Sequence, residues 1–146
     1  MRRFVILVAL VVLAGLLSAP AVLAVEGAAT TPYVGAWSGT DPAPPDGDGS
    51  AVHLLVGPGP RPAIYFVDEF GTICENAGAS DTRFEANLSG YVDGATLWAV
   101  FRSSRCGATT IGFLRGAFGA WELDNQGTAT PADDTLWDGS VLWHRD

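Results

Sequence analysis

Apolar and polar residues alternate along much of the chain with a period of two. The clearest case is residues 83–89, where arginine, glutamate, asparagine and serine alternate with phenylalanine, alanine and leucine. Residues 63–68 and 95–102 divide into two faces in the same way. Because successive side chains of a strand point to opposite faces of a sheet, this period predicts β-strands with one buried face. Beyond residue 25, no segment carries the apolar stripe of an amphipathic helix.

Glycine recurs at a nearly fixed interval and marks the turns between these strands. Five glycines follow one another every 22 or 23 residues: Gly49, Gly71, Gly94, Gly116 and Gly139. Three of them follow an aspartate, and Asp-Gly is a strong hairpin signal because a type I′ turn needs two residues with positive φ. In an up-and-down meander, turns at this spacing lie at one end of the sheet. The opposite turns then fall midway, at 57–60, 76–78, 103–105 and 124–127.

Short apolar segments between these turns complete the predicted sheet. They predict further strands at 33–39, 51–56, 109–114, 117–123 and 140–145. A sheet of about eight to ten strands must curl, close into a barrel or split into two packed sheets. Closure removes exposed edges, so the sequence predicts an all-β, up-and-down antiparallel meander closed into a small barrel. A β-sandwich is the alternative.

The first residues have the pattern of an export signal. Arg2 and Arg3 precede an apolar run, and Val22-Leu23-Ala24 resembles a signal-peptidase site. We therefore expect residues 1–24 to be a signal peptide, 25–32 a flexible lead and 33–146 a single domain. An uncleaved membrane anchor is the alternative, since 22 residues from Phe4 just suffice to cross a bilayer. Cleavage predicts a secreted or periplasmic protein without stable membrane insertion.

The charge balance restricts the partners. The chain has 16 acidic residues and eight arginines, and its net charge is −8. Two of those arginines lie in the signal, so the remainder is more acidic still. Nucleic acid is an unsuitable partner because phosphate binding needs a basic surface. A strong negative charge is typical of proteins that stay soluble outside the cell.

Cys74 and Cys106 are the two cysteines of the chain. In an exported protein they predict one disulfide. Cys74 is expected at the end of a strand and Cys106 in the turn at 103–107, which places both at the same end of the meander. Loop closure of this length contributes about 3.5 kcal/mol of stability in the chain-entropy description.

Gly35-Ala36-Trp37 opens the first predicted strand, and Arg145 lies in the last. This pairing resembles the calycin pattern of lipocalins, fatty-acid-binding proteins and avidins. The resemblance implies a barrel in which Trp37 packs against Arg145 and closes one mouth. Stacking of the guanidinium on the indole would contribute about 0.5–2 kcal/mol. The resemblance does not extend to the identity of a ligand.

Aromatic residues are the candidate ligand contacts. The chain has five tryptophans, most of them in or beside predicted strands. Core packing is their ordinary role, but an aromatic-lined cavity would suit a small apolar ligand. The residues expected to line it are Tyr65, Phe66, Phe84, Trp98, Phe101, Phe113 and Trp121. The alternative is an extracellular interaction or carbohydrate-binding module that uses exposed tryptophans to bind a glycan or a protein.

Other chemistry is weakly indicated. Asp46-Gly47-Asp48-Gly49-Ser50 has alternate oxygen side chains but lacks the glycine and glutamate of a calcium loop, so we interpret it as a turn and predict no metal. His53 and His144 lie on predicted strands with no nucleophile–base set in the sequence. The sequence thus favours a binding protein without cofactor over an enzyme, which would require His53 or His144 near a carboxylate.

Overall fold

The computed structural model describes residues 32–45 and 47–146. The predicted signal peptide and all but the last residue of the predicted lead lie outside the described residues. Nine strands and one short helix make up the fold. The strands are Gly35–Thr40 (β1), Ala51–Val56 (β2), Ala63–Asp68 (β3), Phe84–Asp93 (β4), Thr96–Cys106 (β5), Thr109–Thr110 (β6), Ala117–Asp124 (β7), Thr135–Trp137 (β8) and Leu142–Arg145 (β9).

The strands form a closed antiparallel barrel. Eight of them pair with their neighbours in the chain, and β9 pairs with β1 to close the wall. The short β6 lies outside this ring and adds to the end of β5. The predicted meander barrel is confirmed, and closure leaves no pair of stacked open sheets as in the sandwich alternative.

Inward-facing side chains fill the barrel. Along β2 the burial alternates, with Val52, Leu54 and Val56 buried while His53 and Leu55 are exposed. The core also contains Trp121 and Trp143, each about 1% exposed. Period-two patterning therefore selects the inner face of the wall, as expected for a sheet with one solvated side.

A β-bulge brings one more aromatic ring into the core. The register between β5 and β7 shifts between Ala99 and Val100, so Phe118 has no partner across the pair. A bulge residue can re-aim its side chain. The Phe118 ring packs 4.8 Å from the Phe66 centroid and 5.6 Å from that of Trp121.

Trp37 and Arg145 close one mouth of the barrel. The Arg145 guanidinium carbon lies 4.1 Å from the centroid of the Trp37 ring, and the two residues are register partners on β1 and β9. Trp37 Nε1 also donates to the Tyr33 carbonyl at 2.8 Å. Gly35 has φ +135°, and a Cβ there would stand 3.0 Å from Arg145 Nη1, so both the backbone and the contact require glycine.

The connection between β3 and β4 changes the expected turn pattern. It contains the helix Thr72–Asn76 (α1), with Gly71 as its N-cap residue at an ordinary φ of −78°. Because α1 stands where the meander required a strand between Gly71 and the turn at 76–78, three strands separate Gly49 from Gly94, and the two glycines lie at opposite ends. The prediction that all five glycines share one end is therefore wrong.

Local predictions around the cysteines also need correction. Cys74 lies in α1 rather than at a strand end, and the expected turn at 103–105 belongs to the eleven-residue β5. The predicted strand 109–114 shortens to Thr109–Thr110. The disulfide itself is confirmed, with Cα atoms 5.6 Å apart.

Within the described residues, no helix has the length and apolar character needed to cross a membrane.

Candidate functional site

The seven aromatic residues predicted to line a cavity lie on both faces of the barrel wall. Phe66, Phe84 and Trp121 are buried inside, and Phe101 is partly buried against them. Trp98 and Phe113 are exposed, by 42% and 66%. The strand period explains the division, because Trp98 lies between the inward Leu97 and Ala99.

Tyr65 lies half-buried on the outer side of β3, between the buried Ile64 and Phe66. Its hydroxyl lies near the side chains of Glu85 and Arg105, which are ion-paired with each other. Burial first, and then the Glu85 carboxylate, raise the pKa of the Tyr65 hydroxyl. Its polar end thus takes part in a surface network on β3, β4 and β5.

The inner aromatic rings form one connected cluster. Phe66 lies 6.1 Å from both Phe84 and Trp143, while Trp121 and Trp143 are 6.3 Å apart. Edge-to-face arrangements dominate, and they are favourable for aromatic pairs at these distances. Phe101 joins the cluster through Phe118, at 5.1 Å. This cluster occupies the part of the interior that the sequence assigned to a ligand.

Two buried donors within the barrel have no hydrogen-bond partner in the described part of the chain. They are the Tyr33 hydroxyl and Trp121 Nε1. Burial, with a smaller contribution from the Glu122 charge, raises the pKa of Tyr33 to about 12. A buried polar group without a partner is costly, and water commonly satisfies such groups.

Outside the barrel, Tyr91 and Trp98 form an exposed aromatic pair. They are register partners on β4 and β5, with ring planes within 12° and centroids 6.4 Å apart. Tyr91 is 47% exposed. Cross-strand aromatic pairs stabilise a sheet, but two large rings left in solvent side by side also offer a flat apolar surface.

A second exposed pair continues this surface two strands away. Trp137 and Leu142 are register partners on β8 and β9 and are 45% and 48% exposed. Ala120 of β7 is the partner of Trp98, and Glu122 of β7 is the partner of Trp137. We call Tyr91, Trp98, Ala120, Glu122, Trp137 and Leu142 together the outer aromatic face.

The outer aromatic face has a shallow depression between its two pairs. Ala120, Glu122 and Trp137 line it together with Asp138 and Gly139, and its volume is about 220 Å³. Neighbouring strands are about 4.8 Å apart, so the backbones of β5 and β8 are about 10 Å apart across β7. The face therefore combines separated indole rings, a small residue between them and an exposed carboxylate.

Sequence reasoning named Trp98 but did not assign Tyr91, Trp137 or Leu142 to a site. Alternation identifies which residues of one strand share a face, but it does not identify the neighbouring strand or the pairing register. Only the β4–β5–β7–β8–β9 order brings these residues together. Trp137 ends the three-residue strand β8, which follows a 3₁₀ turn at Pro131–Asp133. Three residues are too few to show the alternation that identifies a strand.

Three carboxylates converge at the end of the barrel opposite the Trp37 plug. Asp41, Asp48 and Asp68 each place an oxygen within 4.8 Å of the others. Burial and the neighbouring Asp68, Asp48 and Asp138 charges raise the pKa of Asp41, and burial is also the main cause that raises the pKa of Asp68. Oxygen ligands of this kind are those able to hold a hard cation. The Asp46–Ser50 pattern missed this group because Asp41 and Asp68 come from other segments.

The histidines lie apart from these groups. His53 on β2 and His144 on β9 are both exposed, and in residues 32–45 and 47–146 neither imidazole is hydrogen-bonded to a carboxylate. Their neighbours across the β1 pairing are the same residue, Ser38. The arrangement offers no nucleophile and base in contact among the described residues.

No family model, curated protein or solved structure matches the chain. The likeness to calycin barrels thus rests on Gly35, Trp37 and Arg145 and on the barrel architecture.

Proposed function

We propose that this protein is an extracellular glycan-binding module and that the outer aromatic face is its binding surface. The observation that carries the proposal is the grouping of Tyr91, Trp98 and Trp137, with Leu142, on neighbouring strands of one wall. Four of the seven large apolar residues exposed in the described chain belong to this face. Exposed apolar residues are ordinary when scattered, but a group of them indicates an interaction surface.

The chemistry of the face suits a sugar. One side of a pyranose ring carries mainly C–H groups and packs on an aromatic plane, while its edge carries hydroxyl donors. The exposed Glu122 carboxylate beside Trp137 accepts hydrogen bonds from such hydroxyls. The rings stand on paired strands, so little order is lost when a ligand binds.

The predicted export signal is in keeping with an extracellular role. The Cys74–Cys106 disulfide is consistent with an oxidising compartment. The N-terminal signal remains a prediction from the sequence, and secretion would place the outer aromatic face where polysaccharides are accessible.

The proposal is tested by binding to a panel of insoluble and soluble polysaccharides. Trp98→Ala and Trp137→Ala should each weaken binding about tenfold or more, as expected when a stacking aromatic ring is lost. Phe70→Ala is the matched control, since Phe70 is exposed but lies outside the face. Binding that is equally strong in all three variants would refute the assignment of the face.

A small ligand inside the barrel is the competing candidate. The specific observation in its favour is the buried, unpartnered Trp121 Nε1 in the described chain, which could donate to an acceptor on a ligand. Entry would require movement of the inner aromatic cluster. A one-to-one titration with an apolar fluorescent probe, sensitive to Trp121→Phe and insensitive to Trp98→Ala, would favour this candidate over the outer face.

A further inference from the structure

Three exposed arginines differ from the others in their surroundings. Arg83, Arg105 and Arg145 are ion-paired with Glu69, Glu85 or Asp134. Arg61, Arg102 and Arg115 form no ion pair with a carboxylate of the described residues, although the whole chain has twice as many acidic residues as arginines. Cations left without internal partners in so acidic a chain are available to an anionic ligand. Two of the three, Arg102 and Arg115, lie in the same part of the wall.

Both arginines line one cleft in the barrel wall. The cleft has a volume of about 470 Å³ and lies between β5 and the segment 110–115. Phe101 N donates to the Gly116 carbonyl at 2.9 Å at one end of it, and Ile111 N donates to the Ser104 carbonyl at 2.8 Å at the other. These bonds fix the two ends of the segment, while residues between them diverge from β5 and open the cleft.

The walls of the cleft combine three chemical types. Phe101, Ile111 and Leu114 are apolar, Ser103 and Thr110 present hydroxyls, and Arg102 and Arg115 supply positive charge. A guanidinium binds a carboxylate through two parallel hydrogen bonds, which are stronger than bonds between neutral groups. The cleft therefore suits a carboxylate attached to a body that has both apolar and hydroxyl surfaces, which describes a uronic acid.

The cleft and the outer aromatic face share strand β5. Trp98 and Arg102 are both exposed on it and are four residues apart, which corresponds to about 13 Å along a strand. A short oligosaccharide is long enough to contact both. One extended ligand that stacks on Trp98 would thus place a substituent near Arg102 and Arg115.

We infer that the glycan bound by this protein is acidic and that Arg102 and Arg115 bind its carboxylate groups. This inference rests on the proposed function, and it names the ligand class for the same surface. The net negative charge of the chain does not oppose it strongly, because charges farther away than about 8 Å are screened at physiological salt. Arg102 and Arg115 are the charged residues that line the cleft, so they act most directly on a carboxylate bound there.

The experiment compares polygalacturonate oligomers with their methyl esters, which have the same sugars but no charge. The wild-type protein should bind the free acid at least about tenfold more tightly than the ester, with a preference that decreases as salt is raised. Arg102→Gln combined with Arg115→Gln should bring the ratio of the two affinities close to one, chiefly because the free acid binds more weakly. Arg61→Gln, at another exposed arginine, is the matched control and should preserve the ratio.

The outcomes separate this inference from the proposed function. An equal affinity for acid and ester, or a preference that the double variant keeps, would overturn the role of the arginines. If binding to neutral glycans still requires Trp98 in that case, the outer aromatic face stands and only the ligand class is wrong. If Trp98→Ala leaves all glycan binding unchanged, the proposed function fails and this inference fails with it. Circular dichroism of each variant checks that the barrel is intact.

Discussion

Arg145 acts on the fold as a single residue with several partners. Its guanidinium donates to the Pro32, Val34 and Pro131 carbonyls at 2.6–2.7 Å and stacks on Trp37. It also binds the Asp134 carboxylate at 3.2 Å. The stacking on Trp37 was expected from the calycin resemblance. The carbonyl acceptors were not, since backbone groups of distant segments carry no signal in the sequence.

Arg145→Met should destabilise the barrel by about 3 kcal/mol. The reason is that Asp134, with only 8% of its side chain exposed, would remain buried without its cation. Chemical denaturation of the protein measures the loss. Adding Asp134→Asn to Arg145→Met should recover part of it, whereas Arg61→Met at an exposed site should change stability by less than about 0.5 kcal/mol. An Arg145→Met variant as stable as the wild type would contradict the mouth-closing role.

Asp41 belongs to the group of carboxylates whose charges oppose one another. The fold raises the pKa of Asp41, which means that the protonated carboxyl favours the folded state. This stabilisation is present below the unfolded pKa and is lost as the pH rises through the folded pKa. Asp41→Asn should therefore stabilise the protein at pH 7, because it removes a partly buried charge that also lies within 4.8 Å of the Asp48 and Asp68 carboxylates. Repulsion between two charges about 4 Å apart in water is about 1 kcal/mol, which sets the size of the expected gain. At a pH below 4 the variant and the wild type should differ little.

The measurement is the free energy of unfolding against pH in the presence of EDTA, which prevents a cation from bridging the carboxylates. Asp93→Asn, in the exposed β4–β5 hairpin, provides the control and should show no such gain. A loss of stability at pH 7 in Asp41→Asn would contradict the repulsion assigned to this group.

At the scale of elements, α1 and its disulfide determine how the β3–β4 connection is held. Cys74 and Cys106 are both fully buried and join α1 to the last residue of β5. Their sequence separation is 32 residues. The disulfide could be predicted because two cysteines in a chain with a predicted export signal have one way to pair. The helix could not, because five residues are too few to show a 3.6-residue period.

Cys74→Ala combined with Cys106→Ala should lower the free energy of unfolding by about 3 kcal/mol. The lost cross-link lets the unfolded chain explore more conformations, and the buried sulfur atoms no longer fill their site. Reduction of the wild type should produce a loss of similar size, and the reduced double variant should show no further change. Equal stability of oxidised and reduced wild-type protein would contradict this.

The strands themselves were largely predictable, and the exceptions have physical causes. Residues 83–89 alternate strictly, and all but the first lie in β4, whose apolar side chains Phe84, Ala86 and Leu88 are buried as expected. Ser103-Ser104-Arg105 resembles a turn in composition, but tertiary pairing with β4 holds it in β5. Residues 111–114 leave the sheet instead of continuing β6. Ile111, Gly112 and Leu114 line the cleft that contains Arg102 and Arg115.

At the scale of the whole molecule, barrel closure separates two sets of aromatic residues. The inner set packs as a core around Phe66, Phe118 and Trp121, and the outer set meets on β4, β5, β8 and β9. Composition showed that tryptophans are abundant, and alternation assigned faces along each strand. Neither indicates which exposed rings become neighbours, because that depends on strand order and register. The candidate site is therefore a property of the closed barrel.

Isothermal titration with the best-bound oligosaccharide of the panel measures binding at the outer aromatic face. The wild type should bind with one-to-one stoichiometry, and the combined Trp98→Ala and Trp137→Ala variant should show no measurable heat of binding at the same concentrations. The melting temperature of that variant should stay close to the wild-type value, because both rings are exposed. Unchanged affinity in a folded double variant would contradict the account.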